Sequence, residues 1–138
     1  MIRFLFAWLI YTWGGLHRYF GNKNRMVSEY EHAIRYFAKA YAVDPTFRAA
    51  RLQRAILLYR ELGRHEEAIN EFNALLNDKP LYCSALLNRG ITLQEMGRFQ
   101  EALADFEQYL QLPDNNEYAD EANRFAVHLR EIVKDLPK

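Results

Sequence analysis

Between residues 28 and 111 the apolar side chains recur every three or four positions with charged residues between them, the pattern of helices that bury one face. The runs break at Asp44-Pro45, Gly63, Pro80, Gly97 and Pro113. Glycine accepts the left-handed conformation that ends a helix and proline resists continuing one, so these residues punctuate the array. The spacing predicts helices over 28–42, 48–61, 65–77, 82–95 and 99–111. After Pro113, residues Tyr118, Ala122, Phe125, Ala126, Leu129, Ile132, Val133 and Leu136 return at helical steps, predicting an amphipathic helix over 116–135.

The first stretch is different. Ten of the twelve residues from Ile2 to Trp13 are apolar or aromatic, both tryptophans lie there, and Gly14-Gly15 follows. No helical stripe is evident, and a segment apolar on all sides needs shelter in protein or lipid. As a helix, Phe4 to Leu16 would reach only about 20 Å against roughly 30 Å of bilayer hydrocarbon. A single helix over 2–20 would require Gly14-Gly15 to stay helical and His17 and Arg18 to snorkel, which the pattern disfavours. No small-x-small cleavage site follows, and Arg18, Lys23 and Arg25 lie just beyond, so a secretory signal is not expected. Residues 1–20 are expected to be an interfacial or half-inserted anchor, with Phe4, Leu5, Trp8, Leu9, Tyr11 and Trp13 as the docking set and Tyr19 at the headgroup boundary. The other use of the segment is burial in protein, over the first repeat or in a partner's apolar groove.

A repeat runs through the body. Ser28-Glu-Tyr-Glu-His-Ala-Ile-Arg-Tyr-Phe aligns without gaps with Gly63-Arg-His-Glu-Glu-Ala-Ile-Asn-Glu-Phe and with Gly97-Arg-Phe-Gln-Glu-Ala-Leu-Ala-Asp-Phe. Ala33, Ala68 and Ala102 recur after 35 and 34 residues, as do Phe37, Phe72 and Phe106, and each copy closes near Pro45, Pro80 or Pro113. A small residue at a helix crossing lets two backbones approach, and the phenylalanine four residues later fills the space beside it.

This pattern resembles the tetratricopeptide repeat, a helix-turn-helix unit of about 34 residues. The resemblance spans residues 14–116, as repeats over 14–47, 48–82 and 83–116. The second and third copies carry Ala55 or Gly90 in the first helix, the turn glycines Gly63 and Gly97, the second-helix Ala and Phe, and the closing proline. The first keeps Gly21 but places His17 where a bulky apolar residue is usual and Asn24 where an aromatic is usual. The implied fold is all-α: a superhelix of about three helical hairpins with a hydrophobic N-terminal helix and a C-terminal capping helix over 117–138. One inserted residue lies between Ile56 and Leu62, because Gly21 to Ala55 is 34 residues whereas Ser28 to Gly63 is 35. It is expected as a π-type bulge inside the helix or as a longer turn at its end.

Charge and chemistry narrow the function. The 138 residues balance 18 basic against 18 acidic groups, yet residues 1–27 hold Arg3, Arg18, Lys23 and Arg25 and no acid. A neutral whole argues against nucleic-acid binding. His65-Glu66-Glu67 lacks the second histidine of a zinc-protease helix, Gly21-Asn22-Lys23 is no phosphate loop, and His17, His32, His65 and His128 stand apart. Cys83, the single cysteine, is expected as a buried inert thiol. No catalytic, metal or cofactor site is expected.

The resemblance implies a concave face lined by the first helices: Arg18, Asn22 and Arg25, then Leu52, Ile56, Tyr59 and Arg60, then Leu87, Ile91, Gln94 and Glu95. Family members that clamp a chaperone's C-terminal carboxylate use lysines and asparagines here, and Leu52, Ile56, Leu87 and Ile91 depart from that arrangement. An apolar or amphipathic helix or peptide of another protein is the expected partner. The expected function is a scaffold on the cytoplasmic side of a membrane, an assembly factor or accessory subunit of a membrane complex. The alternative is a soluble adaptor whose N-terminal segment is buried in a protein partner.

Overall fold

The computed structural model describes residues 1–113 and 116–137. Asp114 and Asn115, at the end of the expected third repeat, and Lys138 of the expected cap lie outside the described residues. The elements are α1 (Ile2–Asn24), α2 (Val27–Val43), α3 (Arg48–Arg60), α4 (His65–Asp78), α5 (Cys83–Glu95), α6 (Phe99–Leu110), a 3-10 turn (Asn116–Tyr118) and α7 (Ala119–Lys134). No strand occurs among the described residues. From α2 to α6 the helix ends lie within a residue of the predicted ones, since proline or left-handed glycine marks each stop, and α7 begins three residues after the predicted 116, behind the 3-10 turn. Gly63 and Gly97 sit at φ 64° and 75°.

The chain forms two compact units, Met1–Glu71 and Phe72–Lys138. In the first, α1 is one unbroken helix of 23 residues that runs straight through Gly14-Gly15. The expected break is absent because Gly14 serves close packing. A Cβ on Gly14 would lie 2.8 Å from Phe37 Cε1 and 3.2 Å from Tyr36 Cβ, whereas one on Gly15 would meet nothing within 4 Å. Gly21 plays the same part against Tyr30, 2.8 Å from its Cε1. The buried residues of α1 are Ala7, Gly14 and Gly21, one every seven positions. A stripe is therefore present, written in small residues rather than large ones.

These contacts correct the assignment of the first hairpin. In the second unit Gly90 receives the ring of Phe106, a Cβ there lying 2.9 Å from Cε1. By sequence alignment Gly21 should receive Phe37, but Gly14 does. Relative to α2, α1 is displaced by seven residues, two helical turns. The hydrophobic leader is thus the first helix of the first repeat, and the hairpin spans 2–43. The shift brings Ile10 to the bulky apolar position and the ring of His17 to the aromatic one, where it stacks on Tyr36 with centroids 5.2 Å apart and planes 8° off parallel.

The inserted residue lies at the helix end. α3 and α5 both have 13 residues, but Gly63 is the third residue after α3 and Gly97 the second after α5. The extra residue is absorbed by a widened last turn in which Leu62 N–H donates to Leu57 O, 3.2 Å away.

Repeat-equivalent ion pairs tie first helices to second ones. Arg54 and Arg51 each donate to Glu71 at 2.8 Å in the first unit. Arg89 donates twice to Asp105 at 2.7 Å in the second, where Asp105 is buried. With the two-turn displacement the equivalent positions in the first repeat are Trp13 and Tyr36, which carry no such pair. In the second unit α7 buries Ala122, Ala126 and Leu129, and Phe125 stacks on Phe106 with centroids 5.2 Å apart.

Candidate functional site

In the first unit, the side of α1 turned away from α2 is apolar along its length. Ile2, Phe4, Leu5, Phe6, Trp8, Leu9, Trp13, Leu16, Tyr19 and Phe20 are 40–71% exposed. From Leu5 to Phe20 the outward side holds one polar residue, Thr12, whose hydroxyl donates to Leu9 O at 2.7 Å. Arg3 and Arg18 of this helix point elsewhere. Arg3 donates to Val43 O at 3.2 and 3.1 Å, and Arg18 hydrogen-bonds Gln53 Oε1. His17 Nδ1 lies 2.7 Å from Glu29 Oε2.

Of the six residues expected to dock, Leu5, Trp8, Leu9 and Trp13 are on this outward side, and Phe4 lies at its edge, 46% exposed with its ring centroid 5.4 Å from that of Phe47. Tyr11 is not: it turns toward Phe37 and Phe47, with ring centroids 5.4 and 5.0 Å away, because it follows Ala7 by one turn on the inward side. Sequence reasoning passed over Ile2, Phe6, Leu16 and Phe20. The signal was available in the order Ile2, Phe6, Leu9, Trp13, Leu16, Phe20, which alternates steps of four and three.

Each unit presents its own first-helix faces. In α1, Asn22 accepts a hydrogen bond from the Tyr30 hydroxyl at 2.9 Å, and Arg25 is the left-handed cap at φ 52°. With the two-turn displacement, both lie past the α1 positions equivalent to Leu52 and Ile56, which are Tyr11 and Gly15. In α3, Leu52 and Tyr59 are buried, Ile56 is half-buried, and Arg60 is exposed with its guanidinium 5.9 Å from the Tyr59 ring centre. In α5 of the second unit, Leu87 is buried and Ile91 and Gln94 are half-buried. Gln94 Oε1 is buried and meets no donor among the described residues. These faces have aliphatic floors and no lysine.

The shifted titrating groups owe their shifts to burial and to neighbouring charges. Burial raises the phenol of Tyr41, and the Glu71 carboxylate adds to it; burial likewise raises Tyr30, with Glu61 contributing. Hydrogen bonds from Arg64 and Arg98 hold Glu67 and Glu101 below the usual carboxylate range. Among the described residues no group of three or more His, Cys, Asp and Glu could hold a metal ion. Cys83 is half-buried, not fully buried as expected, and borders a cavity of about 470 Å³ with Lys79, Leu81, Tyr82, Ser84, Leu112 and Pro113. It also borders a smaller cavity of about 110 Å³ that Asn88, Tyr109 and Glu117 help to line. No helix of the described residues is long and apolar enough to cross a membrane.

Two family models, each described as tetratricopeptide repeat, match residues 28–89 and 84–115. The tetratricopeptide repeat and J domain-containing co-chaperone DNJ1 of Cryptococcus neoformans is 31% identical over 98 residues, which are 70% of this chain and 19% of that protein. Human tetratricopeptide repeat protein 6 is 32% identical over 83 residues, 58% of this chain and 16% of its own length. The chain thus spans less than a fifth of these relatives. Among solved structures, the first tetratricopeptide domain of human RPAP3 matches with a TM-score of 0.73 at 23% identity, covering 94% of this chain and 97% of that one. The Sgt2 domain of Aspergillus fumigatus matches at 0.70 and 20% identity, covering 88% and 80%. The first such domain of Spaghetti (RPAP3), solved with an HSP90 peptide, matches at 0.70 and 24%, covering 88% and 94%. At these identities the likeness is one of fold.

Proposed function

Because the chain belongs to the tetratricopeptide-repeat family, whose models match residues 28–115 in two overlapping pieces, we propose that it is a non-catalytic adaptor holding a segment of another protein on its first-helix faces. The coarse role, a protein-interaction scaffold, is the one its relatives share. The observation that carries the finer role is the aliphatic make-up of those faces. Ile56 and Ile91 are partly open to solvent above floors of Leu52 and Leu87. A carboxylate clamp needs lysine and asparagine at such places, so the chaperone peptides bound by structural neighbours do not transfer. An apolar or amphipathic helix with a few acids opposite Arg60 fits better.

On this reading the repeats hold cargo and α1 supplies attachment. As an assembly factor or accessory subunit of a membrane complex, the protein would dock α1 at the membrane. As a soluble adaptor it would bury α1 in a protein partner. The names of the similar proteins speak for protein partners, and the cargo-holding role stands whichever attachment applies.

The test is crosslinking in native extract. Ile56→Asp and Ile91→Asp change half-buried positions, so helicity by circular dichroism should hold while capture of the partner is lost. Capture unchanged in both variants would move the binding face elsewhere. Leu52 and Leu87 are unsuitable because their burial makes a charge there a folding defect.

A further inference from the structure

The attachment half of the proposed function can be given a ligand class, on which the cargo-holding half does not depend. We propose that α1 lies in the plane of an anionic membrane surface, outward face down, as an interfacial helix carried by a folded protein.

The distribution of residue types around α1 supports this. At about 100° per residue, Leu5, Leu9 and Leu16 fall within about 40° of one another and form the centre of the exposed side. Trp8 and Tyr19 lie about 50–80° to one side of that centre, and Trp13 about 60° to the other. All six side chains are exposed. Aliphatic groups would therefore enter deepest, while the rings with polar handles would sit at headgroup level on both flanks. The exposed apolar sector covers roughly half the circumference, wider than the narrow seam that receives one partner helix. It runs for about 27 Å, a length that suits lying along an interface.

Charge selects among surfaces. Residues 1–27 contain no acid, and Lys23 and Arg25, exposed at the end of α1, form no ion pair among the described residues. A second copy of the chain would set like charges against each other in either orientation. Anionic headgroups would complement them. Thr12, the one non-aromatic polar side chain on the outward face from Leu5 to Phe20, already donates its hydroxyl to Leu9 O and adds little desolvation cost.

The experiment mixes the whole protein with phosphatidylcholine vesicles, with and without phosphatidylserine. It follows flotation and the emission of Trp8 and Trp13, the protein's only tryptophans, both on α1. The expected result is flotation with the anionic vesicles together with a blue shift, both weakened by salt. Leu9→Asp should weaken binding by about tenfold or more. Lys23→Gln with Arg25→Gln should weaken it by roughly tenfold on anionic vesicles and little on neutral ones. Leu9 is more than half exposed, so its variant should retain native helicity. Ile91→Asp, which tests cargo holding, should leave vesicle binding intact. Absence of flotation, or flotation unaffected by Leu9→Asp, overturns the proposal. A dimer abolished by Leu9→Asp without vesicle binding also overturns it and gives the face to a second copy.

Discussion

The first hairpin, α1 and α2, and the last, α5 and α6, lock by the same device and differ in nearly everything outside it. In each a glycine removes a Cβ so that a fully buried phenylalanine ring can lie against the facing backbone, Phe37 over Gly14 and Phe106 over Gly90. Around that lock the last hairpin is polar, tied by Arg89 and Asp105, and covered by α7. The first hairpin has Trp13 and Tyr36 in place of the ion pair and turns an apolar side outward. The charge follows suit: Met1–Glu71 carries 11 basic and 7 acidic residues, and Phe72–Lys138 carries 7 and 11. The repeat motif therefore constrains the interior of a hairpin and leaves the exterior free to serve another purpose.

If the lock is common to both, Phe37→Ala and Phe106→Ala should each cost about 3–5 kcal/mol in chemical denaturation. A loss below about 1 kcal/mol at one of them would break the comparison. The ion pair should separate the hairpins next. Asp105→Asn leaves Arg89 without its carboxylate and should cost about 2–3 kcal/mol, whereas Tyr36→Phe, at the equivalent place in the first hairpin, should cost well under 1.

The glycine doublet offers a sharper comparison within one helix. Gly14→Val forces a branched side chain against Phe37 and Tyr36 and should cost about 1–3 kcal/mol. Gly15→Ala meets nothing, so it should stabilise α1 by about 0.5–1 kcal/mol through helix propensity alone. Thermal unfolding of the two variants should shift in opposite directions.

The smallest difference concerns acid. Arg64–Glu67 and Arg98–Glu101 are equivalent pairs three residues apart, while the first repeat has Glu29 and His32 there. Both glutamates titrate below their ordinary value in the folded chain. The stability they add is thus present above the unfolded carboxylate value and lost as pH falls through the lower folded one. Glu67→Gln and Glu101→Gln should each cost a few tenths of a kcal/mol at neutral pH and nothing in strong acid, since these side chains are exposed.

The helices from α2 onward were legible in sequence because large apolar residues mark their buried faces and Pro45, Gly63, Pro80 and Gly97 mark their ends. The first helix was not, for a physical reason. Its buried face consists of Ala7, Gly14 and Gly21, which hydropathy barely registers, while its conspicuous Trp and Phe residues face out. Gly14-Gly15 resembles a breaker until the ring of Phe37 is placed beside it. The alignment through Gly21 was reasonable on spacing, and only tertiary contacts could show that Gly14 receives the ring. For the first-helix faces, residue identity predicted aliphatic character at Ile56 and Ile91. It could not separate the buried floor of Leu52, Tyr59 and Leu87 from what solvent reaches, because burial depends on neighbours distant in sequence.

Two glycine notches along α1, Gly14 and Gly21, about 10.5 Å apart, leave its pairing with α2 underdetermined by backbone shape, since a slide of one notch would again set a glycine under Phe37. What indexes the helix is the two-residue connection Arg25-Met26, too short to allow the slide. Lengthening that connection by seven residues would free α1 to move one notch, carrying its whole greasy strip with it.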